Sequence, residues 1–184
     1  MQARRETEWR LEVAQDKVQK NDVIIRDMTE DYDKFQSQVK KGEDGTTLPG
    51  LTMPKIKEFT ADGAYNVEGM GAALQDAGRT IGNKDRQMGE VYGFPLMVDS
   101  IYMYDEKMRK EVYAGNRFYV KGHYLYEHNN GHLAMSKDNR LGAVRYGVQA
   151  LERIPSVVAQ YQERNQKLQQ DIAEYQRIAG KPWG

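Results

Sequence analysis

Cysteine is absent from this 184-residue chain, which excludes a disulfide framework and a thiolate zinc site. The chain fits a reducing compartment without requiring one. No apolar run reaches the roughly 18 residues that cross a bilayer, and the amino end MQARRETEWR lacks the apolar segment of a signal peptide. The expectation is a soluble, cytoplasmic protein with no membrane partner. Net charge is missing too: 27 Lys and Arg balance 27 Asp and Glu, so no global field draws the chain towards nucleic acid. Any electrostatic function must come from a local patch. Common catalytic signatures are also lacking. There is no GxxxxGK[ST] phosphate loop, no HExxH zinc helix, no GxSxG nucleophile elbow and no PP[YFW] motif. No cofactor is implied. The segment GMGAAL, Gly69 to Leu74, imitates the start of a dinucleotide fingerprint, but no βαβ unit surrounds it and close helix packing is the better reading.

What is present divides the chain by periodicity. At 39% hydrophobic residues the length suits one domain with a long extension. From residue 4 to 41 there is no Pro or Gly, charges are dense and apolar residues recur at helical spacing, until KKGEDGTTLPG stops the pattern. Residues 51–139 hold most of the Gly and Tyr and read as short strands around one helix, NVEGMGAALQDAGRTIG. The segments GEVYGFPLMVDSIYMYDEK, EVYAGNRFYVKGHYLYE and GHLAMSK read as strands. From residue 141 to 179 the helical period returns, with a start or kink expected at Pro155 and a stop at Gly180 and Pro182.

The two terminal segments fit each other. As heptads, the first places Leu11, Val18, Ile25, Tyr32 and Val39 at one core position and Ala14, Asn21, Met28 and Phe35 at the other. The last places Leu151, Val158, Asn165, Ile172 and Ala179 at one and Ile154, Tyr161, Leu168 and Tyr175 at the other. In an antiparallel pairing that sets Leu11 on Tyr175, Val18 on Leu168 and Phe35 on Leu151, Asn21 meets Asn165. A lone buried asparagine costs about 1–3 kcal/mol, whereas two facing amides bond each other and fix the register. The alternative is that each helix pairs with a second molecule.

All three histidines lie in GHYLYEHNNGH, but His123, His128 and His132 with Glu127 do not follow a helical ligand spacing, and EHNNG reads as a hairpin turn. No metal site is expected. Asp31 and Asp33 read as a solvated helix face. Between residues 107 and 124, Lys107, Arg109, Lys110, Arg117 and Lys121 face a single Glu111, with Tyr113, Tyr119 and Tyr124 interleaved. On a strand Arg117, Tyr119, Lys121 and His123 share one side, giving cations and aromatics for phosphates and bases of DNA or RNA. A solvated outer face over Phe118 and Val120 is the plainer alternative.

The order IGNKDRQMGEVYGFPL, RFYVKGHYLYEHN and NRLGAVRYGVQALERIPSVVAQYQERNQKLQQDIAEYQRIAGKPW resembles the extreme carboxyl-terminal region of large helicase and adenine-specific DNA methyltransferase fusion proteins of plasmids, phages and conjugative elements. Gly89, Glu90, Gly93 and Phe94 match its G-E-x-x-G-F strand, Ala150, Leu151, Ile154 and Pro155 its A-L-x-x-L-P helix, and Lys181, Pro182 and Trp183 its K-P-F close. Ile154 stands for a leucine, Met70 for an alanine and Trp183 for a phenylalanine. The resemblance implies a DNA-processing, mobile-element setting with catalysis elsewhere in a parent protein, and it carries over no known binding residue.

These observations predict an α+β fold: a small antiparallel sheet with one packed helix, plus a long antiparallel two-helix coiled coil. The expected function is a non-catalytic accessory domain making nucleic-acid contacts through Lys107, Arg109, Lys110, Arg117, Tyr119, Lys121 and His123, or docking on other domains of its parent. The alternative is a purely structural protein-interaction module using the coiled coil.

Overall fold

The computed structural model describes residues 2–180; Lys181, Pro182 and Trp183, and with them the expected stop at Pro182, lie outside the described residues. The chain packs as two compact units. Its two ends, through Asp31 and from Ile154 onward, form one, and Tyr32 to Arg153 form the other.

The first unit is an antiparallel pair made by most of α1 (Gln2–Gln38) and by α5 (Ile154–Ala179). Ala14, Val18 and Ile172 are buried together, with Leu11, Leu168 and Tyr175 packed on them. Low numbers on one helix meet high numbers on the other. Three layers along, Asn21 Nδ2 donates to Asn165 Oδ1 at 2.9 Å, and Asn165 Nδ2 donates to Asp22 Oδ1 at 2.9 Å. The half-buried amides thus find partners in each other and in Asp22. Outer faces carry exposed i,i+4 pairs such as Arg10 with Glu6 at 2.9 Å and Lys20 with Asp16 at 2.8 Å, which solvent screens to a small contribution. Asp31 is buried while Asp33 is exposed, so only the second fits the solvated face expected of both.

Both helices differ from their sequence limits. Helix α1 stops at Gln38, because Lys41 already bridges Thr47 and the Gly42 N–H donates to the Thr46 carbonyl in a tight reversal. The carboxyl-terminal span is three helices rather than one: α3 (Arg140–Val144), α4 (Tyr146–Glu152) and α5. Pro155 occupies the first turn of α5, where a missing N–H costs nothing. Leu151 therefore lies on α4 and in the other unit, and the heptads of α5 begin at Ile154.

The second unit is a five-stranded antiparallel meander in the order β1 (Leu51–Thr52), β2 (Arg86–Val91), β3 (Phe94–Asp105), β4 (Lys110–Lys121), β5 (Leu125–Tyr126). Tyr92 and Gly93, at φ 49° and 84°, make the two-residue turn between β2 and β3. Helix α2 (Val67–Arg79) is capped by Asn66, whose Oδ1 accepts from the Gly69 N–H at 3.0 Å. Its buried Met70, Leu74 and Ala77 recur at helical spacing, and it packs on β4 and α3. At Gly71 a Cβ would come within 2.7 Å of Arg140. The small residues of GMGAAL thus serve close helix packing, and an all-antiparallel sheet contains no βαβ unit.

The core beneath α2 and α4 comes from one side of the ladder. Leu96 pairs with Val120 and Val98 with Phe118, all buried. Next along, Ser100 Oγ donates to Asn116 Oδ1 at 2.6 Å, and Asn116 Nδ2 reaches the carbonyls of Gly78 at 2.7 Å and Thr80 at 2.9 Å. Two polar strand residues thereby satisfy the open end of α2.

The segment GHLAMSK is not a strand. After a 3₁₀ turn at Asn129–Gly131 it runs beside α2, where Gln75 Nε2 donates to the carbonyls of Ala134 at 3.0 Å and Ser136 at 2.8 Å and Arg79 holds that of Met135 at 3.0 Å. Side chains replace the ladder partner. Consequently EHNNG is not a hairpin turn either. Among the described residues, no helix is long and apolar enough to cross a membrane.

Candidate functional site

Strand lengths create the main surface feature of the sheet unit. Strands β3 and β4 have 12 residues each, β2 has 6 and β5 has 2. The β2 ladder on β3 ends at Val98 and the β5 ladder on β4 begins at Val120, so the far halves of β3 and β4 continue as a two-stranded ribbon. A bulge lets the ribbon bend: Ile101 pairs with Gly115 but Tyr102 with Tyr113, which leaves Ala114 over, and Gly115 takes φ 118°. The tip is closed by Asp105, whose Oδ1 accepts the N–H groups of Lys107 at 2.9 Å and Met108 at 3.1 Å.

This geometry separates the seven basic-surface residues. Lys107, Arg109 and Lys110 are exposed at the tip, whereas Lys121 ends β4 about 35 Å away at 3.3 Å per residue. Arg117 and Tyr119 lie inside the sheet proper and His123 in the turn after β4. No single patch gathers them.

Tyr119 is buried at 5% exposure and offers no stacking ring. Its hydroxyl donates to Asp85 Oδ1 at 2.7 Å; burial and then that carboxylate push its pKa up to about 12. The guanidinium of Arg117 lies 5.4 Å from the Tyr119 ring centroid, and its Nε sits 2.5 Å from Glu127 Oε1 as an ion pair without an aligned hydrogen bond. Neighbouring strands supply further acids. Asp99 lies opposite Arg117 and Asp105 opposite Lys110. Five positives against one negative holds along the chain only, because antiparallel pairing sets Asp99 and Asp105 of β3 opposite Arg117 and Lys110, and Glu127 pairs with Arg117.

The ribbon exposes large apolar side chains that charge counting passes over: Tyr102, Met103, Tyr104 and Met108 are 45%, 63%, 62% and 56% exposed. Tyr102 and Tyr113 stack edge to face at 6.1 Å. The sequence signal for them is the apolar run SIYMY, which continues beyond what the six-residue β2 covers.

The histidine segment forms a different feature. His128 and His132 line a cavity of about 310 Å³ with Asn139 and Tyr146. Tyr146 donates its hydroxyl to the Phe118 carbonyl and accepts the His128 N–H at 3.2 Å. Burial first, and the Arg153 charge second, lower the His128 pKa. Among the described residues, His128, His132 and Glu127 do not converge as a ligand set.

No curated protein and no solved structure matches the chain. Residues 36–151, well over half of the sequence, match the model of a domain of unknown function, DUF8438, and the chain belongs to that family.

Proposed function

We propose that this chain is a non-catalytic docking module of a larger DNA-processing protein, with the β3–β4 ribbon as its contact element. The observation that carries the reading is the ribbon itself, a projecting pair of strands with four exposed large apolar side chains at its outer half. Tyr102 and Tyr104 share one face of β3, where Tyr113 packs on Tyr102; an exposed aromatic surface of this kind marks a contact site, and an uncovered strand edge invites addition of another strand. Carboxylates beside the cations favour a protein partner over a polyanion. The DNA-processing setting is supported by the resemblance of the GEVYGF and ALERIP segments to the helicase and methyltransferase fusion proteins.

A nucleic-acid reading draws on one observation, the three cations Lys107, Arg109 and Lys110 at the tip. Fluorescence anisotropy with labelled single-stranded and duplex DNA at about 50 and 200 mM salt separates the two. Docking expects no binding at either salt. Binding that weakens steeply with salt, and is lost on Arg109→Glu, would assign the tip to phosphates and overturn the docking reading. A photo-crosslinker at position 104 in the parent protein is expected to capture a protein domain, and the same group at exposed position 12 is not.

A further inference from the structure

A cavity of about 530 Å³ opens beside β1, at the sheet edge away from the ribbon, and Phe59, Tyr65 and Tyr92 line it together with Glu58. We infer that this cavity binds an alkylated ammonium group, such as a choline headgroup or a methylated lysine side chain. The inference does not depend on the docking role of the ribbon.

The walls are built to present ring surface. Phe59 and Tyr65 stand perpendicular, at 89° with centroids 6.0 Å apart. Both phenol oxygens are committed to backbone: Tyr65 donates to the Leu51 carbonyl at 2.6 Å, and Tyr92 donates to that of Leu48 at 2.7 Å while accepting the Lys40 N–H at 3.3 Å. The rings therefore offer carbon and π surface, while Ser37, Gln38, Lys40, Thr52 and Glu58 add polar groups to the lining. Tyr92 is fixed there by its turn conformation, and a Cβ at Gly50 would fall 2.2 Å from its ring. At the mouth, Phe59 is left 49% exposed although its partner Tyr65 is only half-buried.

Glu58 supplies the countercharge and makes no ion pair among the described residues. Burial first raises the pKa of both tyrosine hydroxyls, and Glu58 lines the same cavity as both rings. Two cations are near. Lys40, which lines the cavity, has its backbone N–H on the Tyr92 hydroxyl and is an exposed residue; Arg145, whose charge also reaches Tyr92, is held on the Thr47 carbonyl at 2.8 Å. Aromatic faces with a carboxylate attract a cation, and alkylation lowers the cost of removing it from water while adding surface that packs on rings. A free phosphate or carboxylate would meet Glu58 unfavourably.

The test is an aromatic ¹³C NMR titration of the full chain with choline and, in parallel, with its neutral isostere 3,3-dimethylbutan-1-ol. Saturable shifts of the Phe59 and Tyr65 rings are expected, with choline binding about fivefold or more tighter than the isostere. Glu58→Gln and Phe59→Leu should each weaken choline binding at least about threefold, with an unchanged backbone spectrum as proof of folding. Equal or tighter binding of the isostere, absence of saturation, or unchanged affinity in either variant overturns the inference. Trimethyl-lysine amide as a further probe distinguishes the sources: whichever of it and choline binds tighter names a protein side chain or a small headgroup.

Discussion

Single residues decide how the end of α2 is joined to the sheet. Asn116 Nδ2 serves the carbonyls of Gly78 and Thr80, and Asn83 Nδ2 serves those of Ala77 at 2.9 Å and Thr80 at 3.1 Å. Asn116→Ala leaves Gly78 without its donor but Thr80 with one, so the expected loss is about 1–2 kcal/mol. Removing Asn83 as well should cost more than the sum of the single changes, which a double-mutant cycle in urea will measure. His128 gives a pH dependence at the same scale. Its folded pKa lies below the ordinary 6.5, so below pH 6.5 the unfolded chain binds more protons than the folded one. Stability is therefore full above pH 6.5 and falls as pH drops from there towards the lowered folded value. Urea midpoints between pH 7.5 and 5 should show this fall in the native chain and a smaller one in His128→Gln. Neither asparagine was legible in the sequence. Asn116 in a strand pattern and Asn83 in a loop both read as solvent-facing, and only the docking of the α2 terminus on β4 and on that loop turns them inward.

At the scale of elements, the terminal helices were the most legible part of the chain. A 3.5-residue period interrupted by one asparagine in each helix contains its own register, since no other antiparallel offset leaves both amides partnered. Asn21→Leu alone removes the donor to Asn165 Oδ1 but leaves Asn165 Nδ2 on Asp22 at a half-buried position, so the expected loss is about 1 kcal/mol. The double leucine variant should recover that loss, while disulfide trapping between cysteines placed at Glu12 and Tyr175 becomes less selective for one register. Recovery without any loss of selectivity would show that packing alone fixes the alignment. The ribbon was less legible. Its strands were evident from SIYMY and EVYAG, yet their overhang depends on where β2 and β5 stop, which local periodicity does not encode. The start of α5 was legible from Pro155, but the break at Arg145 was not, because that residue keeps helical φ and ψ.

Across the whole molecule, the family match at residues 36–151 falls within the compact unit Tyr32 to Arg153. That unit holds its own buried set, including Phe35, Leu51, Met70, Leu74, Phe118, Tyr146 and Leu151. A chain cut to residues 32–153 is expected to fold, with a dispersed amide spectrum and a cooperative thermal transition; a collapsed spectrum would show that the terminal helices are needed for its core. The paired helices bury few side chains, and as a separate piece they should melt at low denaturant. The sequence by itself determined the α+β class, the helix pair and the pairing of Asn21 with Asn165, because hydrophobic period and the need to satisfy buried amides are local or pairwise rules. Only the tertiary structure decided that Tyr119 is buried, that carboxylates face the cations of β4, and that Phe59, Tyr65 and Tyr92 share one cavity. Each of those depends on which distant segments the sheet brings side by side, and no spacing along the chain carries that information.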